Sequence, residues 1–402
     1  MQGAAAVPVG AGLGASRASS VKPHVVVIGA GAFGGWSALH LLKLGADVTI
    51  IDRWGAGNAL SSSGGKSRVI RSIYGPDRIY SEMVKRAYEL WENLAASTRE
   101  KLYAETGALW MLEGDDAYVR AALPIVRELG FVVDEFSVAD AAKRYPQIGF
   151  DKIKSVYLEH RAGALFARHA CQVVEKAVES AGGRYLTAAV KPGRIANGAM
   201  SSVVADGKTI KADHYVFACG PWLGSIFPDV IGDAVRATRQ EVYYFGIPKG
   251  DAYLAGHLPI WIDFGEHIIY GIPGIDGRWF KLADDTRGGA IDPTTMPRTK
   301  TEAGVAHARE FLAKRFPQIA KQPLLSAEVC QYENSPDGNL IIDRHPNASN
   351  VWIAGGGSGH GFKLSPVVGE MVAQAVLQGK ETPKMFRGER LYGVKRKTQF
   401  QT

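Results

Sequence analysis

The chain has 402 residues, 46% hydrophobic and 22% charged, with a formal net charge of +7. That composition excludes a disordered, collagen-like or coiled-coil chain and supplies core material for one large unit or two domains. Most of the positive excess sits in the C-terminal tail (Lys384, Arg387, Arg390, Lys395, Arg396 and Lys397 against Glu389), so the near-neutral body predicts no nucleic-acid face.

Residues 1–22 form a small, apolar leader with a small-x-small pattern at Ser16-Arg17-Ala18. It reads either as a truncated export signal, which implies a periplasmic or exported protein, or as a floppy extension of a cytoplasmic one. Val25 to Ile28 is a β-branched run expected as a strand buried on both faces of a parallel sheet. Gly29, Gly31 and Gly34 follow at once, then helical spacing from Trp36 to Leu44, then a second strand from Val48 to Ile51 closed by Asp52. The first glycine permits a tight turn, the second a close approach to a pyrophosphate, and the third packing of helix on strand. The helix start offers free N–H groups to phosphates, and Asp52 is placed to accept from a ribose hydroxyl. A bound dinucleotide is therefore expected; the motif alone does not choose FAD over NAD(P), and a non-catalytic or NAD(P)-binding module is its minimal reading.

Farther along, residues 77–105 and Leu165 to Ser180 read as helices, and Tyr215 to Cys219 as a strand running into a Gly-Pro turn. Between 240 and 295, strand-like runs (Glu241 to Ile247, His267 to Ile272, Trp279 to Leu282) alternate with Gly/Pro turns and predict antiparallel sheet. A helix from Ala303 to Phe316, a strand from Val351 to Ala354 and a helix from Val367 to Leu377 close the pattern. Three cysteines (Cys171, Cys219, Cys330) are too few for a disulfide framework and lack zinc-site spacing, and no apolar run reaches the roughly 18 residues of a membrane span. Gly65-Lys66-Ser67 ends like a P-loop but has Leu60 where the first glycine belongs, and Ser358 lacks the second glycine of a nucleophile elbow. Neither NTPase nor serine-hydrolase chemistry is supported, and no general base is obvious.

Four segments carry a more specific signal. They are Arg68-Val69-Ile70-Arg71-x-x-Tyr74-Gly75; Tyr270-Gly271-x-Pro273 leading to Lys281; Glu328-x-Cys330-x-Tyr332-x-x-Ser335-Pro336-Asp337; and Gly357-Ser358-Gly359-His360-Gly361-Phe362-Lys363. In this order, over residues 23 to about 384, the chain resembles the monomeric sarcosine oxidase and N-methyltryptophan oxidase family of D-amino-acid-oxidase-like flavoproteins. The resemblance implies an α/β fold: a Rossmann-type FAD-binding domain (23–102, 158–235 and 328–384) interleaved with an α+β substrate domain (103–157 and 236–327) carrying antiparallel sheet, followed by a basic tail, 385–402.

The resemblance also implies FAD held covalently through Cys330, with Gly29, Gly31, Gly34, Asp52, Arg68, Gly357, Gly359, Phe362 and Lys363 along the cofactor. Arg71 and Lys363 match a pair that clamps the substrate carboxylate, a guanidinium fork and a point charge from two sides. Lys281 matches a lysine that activates dioxygen, a buried ammonium favouring its reduced form; Arg68 matches a cation beside the reduced flavin, and Tyr270 joins these two as catalytic. Cys219 is expected to be a packing residue. The implied reaction is oxidation of a secondary or N-methylated α-amino acid, by hydride transfer to flavin and then reduction of dioxygen to hydrogen peroxide. The expected catalyst is a monomer whose partners are its small-molecule substrate and dioxygen. A dehydrogenase of the same fold, using a quinone or other carrier, is the alternative. Two positions depart from the family pattern: Gly64 and Asp285 stand where its type member has histidines. Both shape the amine end of the pocket, and Asp285 is a substrate-binding candidate suited to a cationic or hydroxylated group.

Overall fold

The computed structural model describes residues 22–391, so the leader reading and most of the basic tail lie outside the described residues. The β-branched runs assemble into a six-stranded sheet ordered Ile341–Arg344, Val351–Gly355, His214–Phe217, His24–Ile28, Asp47–Asp52 and Arg184–Thr187. The last five strands are mutually parallel, and Ile341–Arg344 is an antiparallel edge. Val25, Val26, Val27, Ile50 and Val216 are wholly buried, as both-face burial requires. Helices Ala32–Lys43 and Ser365–Gln378 pack against each other beside this sheet. Their close approach needs Gly369, where a Cβ would lie 2.5 Å from the Trp36 carbonyl carbon. Parallel strands ending at Ile28, Asp52, Phe217 and Gly355 all deliver their following loops to one edge of the sheet, where open α/β sheets hold ligands.

The second large sheet has eight strands in the order Leu324–Asn334, Arg236–Phe245, Phe280–Asp284, Ile268–Ile272, Ile260–Phe264, Ala108–Leu112, Ser155–Glu159 and Val133–Phe136. Every neighbouring pair is antiparallel except Ile260–Phe264 with Ala108–Leu112, which is parallel. Pattern reading expects antiparallel sheet here; this junction joins segments far apart in the chain, so no hairpin dictates its direction. The strand Leu324–Asn334 runs across residue 328, where the sequence expects a domain boundary. The helix expected over 77–105 stops at Thr98, with Arg99 at φ 59° closing it, and Tyr103–Glu105 joins Gly163–Leu165 and Arg68–Ile70 in a three-stranded sheet. Leu102 continues the apolar spacing but is buried by tertiary contact rather than by helix. Short strands between 190 and 210 have no counterpart in the sequence reading, because runs of two or three residues are too brief to show a period. Among the described residues no helix is long and apolar enough to cross a membrane.

One buried charge group ties the eight-stranded sheet to helix Glu302–Arg315. Arg315, wholly buried, pairs with Asp263 and Glu113 and donates to the Gly149 and Asp151 carbonyls. Removing Arg315 strands the Asp263 carboxylate in low dielectric, while Glu113 keeps Lys314. Arg315→Met is therefore expected to cost about 3–5 kcal/mol in urea unfolding; a loss within about 1 kcal/mol would show that the cluster relaxes to solvent.

Candidate active site

The loops at the sheet edge enclose a cleft with about 1280 Å³ of empty space. Gly29, Gly31, Asp52, Arg68, Gly357, Gly359 and Phe362 line it, together with the serines of the 61–63 loop. Gly29 has φ +102°, and a Cβ there would lie 2.4 Å from the Ala218 carbonyl oxygen, so the turn tolerates only glycine. A Cβ at Gly34 would fall 1.8 Å from the Gly29 oxygen; Gly34 packs helix on strand and does not itself line the cleft. At Gly31 the nearest foreign atom to such a Cβ is Ser63 Oγ, 3.5 Å away, so the backbone faces open space. Asp52 is partly engaged in shaping this edge: Oδ2 accepts from the Ala30 N–H at 2.9 Å, and Oδ1 from the Trp54 and Gly55 N–H groups at 2.8 and 2.9 Å. The Ser62 hydroxyl is buried in the cleft without a hydrogen-bond partner among the described residues. A glycine-lined backbone approach, a helix start whose N-cap Gly31 brings no side chain (the Ala32 N–H donates to Ser63 Oγ at 3.1 Å) and an unsatisfied hydroxyl all suit a bound dinucleotide.

Beyond Gly357-Ser358-Gly359, a 3-10 turn, Phe362–Leu364, intervenes before the helix begins at Ser365. Ser358 is no nucleophile: its hydroxyl donates to the Gly356 carbonyl at 3.0 Å and accepts from the Ser335 N–H at 3.2 Å, tying two loops together.

Arg68 lines the cleft and is met by Cys330 and Lys281, which, like Lys363, do not themselves line it. Arg68 Nη2 donates to the Ser62 carbonyl at 2.6 Å and lies 3.2 Å from Cys330 Sγ, while Nη1 donates to the Ser67 carbonyl at 2.8 Å. Gly65 makes room for this guanidinium, since a Cβ there would stand 2.6 Å from Nη1. A cation beside a partly exposed sulfur is the setting of a reactive cysteine. Burial pushes the Cys171 thiol up to about 12 and raises that of Cys219, the behaviour of packing residues, although Cys219 also lines the cleft. Lys281 is wholly buried; Nζ donates to the Ser67 carbonyl at 3.0 Å and lies 5.5 Å from the Tyr270 ring centre. Burial, then the Arg68 charge, pulls its pKa down to about 7.

A second group gathers Arg71, Lys363 and Asp285, whose charges act on one another. Arg71 and Lys363 are each 4% exposed and converge on Tyr74: the guanidinium lies 4.6 Å from the ring centre, and Lys363 Nζ donates to the hydroxyl at 2.8 Å. His360 Nε2 faces the Gly338 carbonyl at 3.0 Å and must donate there, so Nδ1 accepts from Tyr74 at 3.2 Å. Burial, then Lys363, holds His360 far below its usual pKa and therefore neutral. Burial, then Arg71, likewise drives the Lys363 pKa well down. Asp285 Oδ1 accepts from Tyr332 at 2.7 Å. Gly64 cannot carry the family's histidine, because a Cβ there would lie 1.9 Å from the Asn58 carbonyl oxygen.

Sequence reading left several groups unassigned. Tyr74, His360 and Tyr332 lie inside the motifs, which assign them no role. Glu333 lines the cleft, accepts from the Gly356 N–H at 2.8 Å and is pushed by burial up to about 7. Glu159, wholly buried, accepts from the Ser72 N–H; its one signal was a carboxylate ending an apolar run.

Comparison with known proteins gives the family and the fold. The model of the FAD dependent oxidoreductase family matches residues 24–375. Monomeric sarcosine oxidase of Arthrobacter sp. (strain TE1826) is 31% identical over 365 residues, covering 89% of this chain and 92% of that one. N-methyl-L-tryptophan oxidase of Yersinia pestis (strain Pestoides F) is 26% identical over 364 residues, covering 89% and 96%. Among solved structures, L-proline dehydrogenase from P. horikoshii shares the fold with a TM-score of 0.80 at 23% identity, over 93% of this chain and 99% of that one.

Proposed function

The chain belongs to the family of FAD dependent oxidoreductases, and from that premise we propose that it oxidises a secondary or N-methylated α-amino acid at the expense of dioxygen. When bound, FAD supplies a two-electron acceptor for the hydride leaving the carbon next to nitrogen and passes the electrons to dioxygen, giving hydrogen peroxide. Gly29, Gly31, Asp52, Gly357, Gly359 and Phe362 would hold the cofactor, and Cys330 Sγ would bind it covalently beside the Arg68 guanidinium. Arg71 and Lys363 would grip the substrate carboxylate and so orient its α-carbon. Lys281, with Arg68 and Tyr270 near it, would hold positive charge where reduced dioxygen forms. The similarity to monomeric sarcosine oxidase supports a monomeric catalyst. Residues 23–102, 158–235 and 328–384 would serve the cofactor, and 103–157 with 236–327 the substrate.

The observation that carries this reading is the pair of buried basic side chains meeting at Tyr74, with the Lys363 pKa driven well down by burial and the Arg71 charge. Two like charges in low dielectric repel, and an anionic group placed between them relieves that cost. Lys363→Met is expected to raise KM for N-methyl amino acids about 10–100-fold, the worth of one charge-assisted hydrogen bond, and to leave KM for the matching decarboxylated amines unchanged. Peroxide release monitors both series. An equal loss in the two would remove the carboxylate clamp.

A further inference from the structure

We propose that Asp285 is the base that takes the proton from the substrate's ammonium group before its C–H bond breaks. The inference rests on the amino-acid-oxidising reading above. A secondary amino acid reaches neutral water as an ammonium carboxylate, and its nitrogen lone pair must be freed before the neighbouring carbon gives up hydride. In the step, the N–H bond of the ammonium breaks and an O–H bond forms on Asp285. The ammonium becomes a neutral amine and the carboxylate a carboxylic acid, with no change of oxidation state; the proton later leaves to water.

Three observations place the group for this task. First, the carboxylate is fixed. Asp285 follows the strand Phe280–Asp284 that carries Lys281, its backbone N–H donates to the Ile268 carbonyl at 2.8 Å, and Oδ1 accepts from the Tyr332 hydroxyl at 2.7 Å. The Tyr332 ring in turn lies against the cofactor loop, where a Cβ on Gly359 would stand 2.8 Å from Cε2. Second, Tyr332 is the one hydrogen-bond partner of the Asp285 side chain among the described residues, and it engages Oδ1 alone. Third, the surrounding charges are those of a zwitterion's receptor. Asp285 feels Arg71 from the segment after strand Arg68–Ile70 and Lys363 from the 357–363 loop, the two cations assigned to the acid group. An amino acid gripped there by its carboxylate presents its ammonium to a carboxylate.

Every charged or titratable neighbour bears on that role. Tyr332 from Leu324–Asn334, Tyr270 from Ile268–Ile272, Arg71, Lys363, and Asp284 and Arg287 from its own segment all interact with Asp285. Burial raises its pKa to about 6 although the Tyr332 hydrogen bond, Arg287 and Arg71 oppose the rise. Such a carboxylate is ionised at neutral pH and a stronger proton acceptor than a solvated one.

The test uses the holoenzyme. Anaerobic flavin reduction by N-methylglycine, N-methyl-L-tryptophan and L-proline is followed by stopped flow, and the fastest substrate is carried into a comparison of wild type with Asp285→Asn across pH. The expected loss at neutral pH is about 10²–10⁴-fold, shrinking tenfold per pH unit towards the pKa of the free amine, where the base is no longer needed. Asp285→Glu is expected to restore the wild-type profile. A loss that is the same at every pH marks Asp285 as a mere anchor for Tyr332 and overturns the proposal. A second readout needs no turnover: 2-(methylamino)isobutyrate has no α-hydrogen to lose, and its Kd for wild type is expected to rise tenfold per unit below about pH 6, a break absent in Asp285→Asn. The same break in both proteins also overturns the proposal. Failure of all three amino acids to reduce wild-type flavin at any pH sinks instead the underlying reading, and the base with it.

Discussion

Lys281→Met is expected to leave anaerobic reduction of the flavin by substrate intact while slowing its reoxidation by dioxygen about 10²–10³-fold, the usual cost of removing a preorganised charge from a reacting centre. The lysine lies wholly inside the protein on Phe280–Asp284, with the Ser67 carbonyl as the acceptor of its hydrogen bond. Holding an ammonium there costs desolvation, and methionine fills a similar volume without that cost, so loss of fold is not the expected outcome. The sign of the pH dependence follows. Burial and the Arg68 charge lower the Lys281 pKa to about 7, so the cation is present below that value and lost above it. Reoxidation should therefore slow as pH rises through this range in wild type, and Lys281→Met should be slow and flat. Unaltered oxygen consumption in the variant would separate the residue from oxygen chemistry. Poor oxygen turnover in wild type with fast turnover of an added quinone would favour the dehydrogenase alternative.

Cys330→Ala should free the flavin from covalent attachment, so that acid denaturation releases all of it. Wild-type protein precipitated with acid is expected to keep its yellow colour, and the variant to leave all of it in the supernatant, an all-or-none difference read by absorbance. The basis is position and charge: Cys330 sits opposite Gln240 in the long strand pair Arg236–Phe245 with Leu324–Asn334, and a guanidinium lies 3.2 Å from its sulfur. The variant also takes one hydrogen-bond partner from Arg68, which keeps its bonds to the Ser62 and Ser67 carbonyls. The fold and the noncovalent cleft should survive. Colourless precipitate from wild type would refute the thioether link while leaving FAD dependence untouched.

Much of the fold was legible because its signals are local. Runs such as Val25 to Ile28, Val48 to Ile51 and Val351 to Ala354 are apolar at every position, and only a strand covered on both faces has that need. The glycines at 29, 31 and 34 stand at spacings set by one turn and one close contact, so they too were readable within a few residues. The candidate cysteine, arginines and lysines of the site were singled out through motif resemblance, and composition alone would have left Arg71 and Lys363 as ordinary surface charges.

Partnership is a different matter. No sequence separation announces that Lys363 meets Tyr74, or that Arg68 reaches Cys330 across 262 residues. Gly64 looked like a lost histidine, yet its backbone lies too close to the Asn58 carbonyl for any side chain. The parallel junction in the eight-stranded sheet was hidden for the same reason, since strand direction between remote segments is decided by packing rather than by either segment.

The amino-acid sequence by itself determined the parallel sheet, the glycine turn at 29–34 and the chemical types available to the site, because periodicity and glycine geometry act over a single turn or strand. Only the tertiary structure decided which charges lose water together, placing Lys281 with Arg68 and gathering Arg71, Lys363 and Asp285 in the second group. Desolvation and Coulomb interaction depend on distances through space, and the folded chain alone sets those.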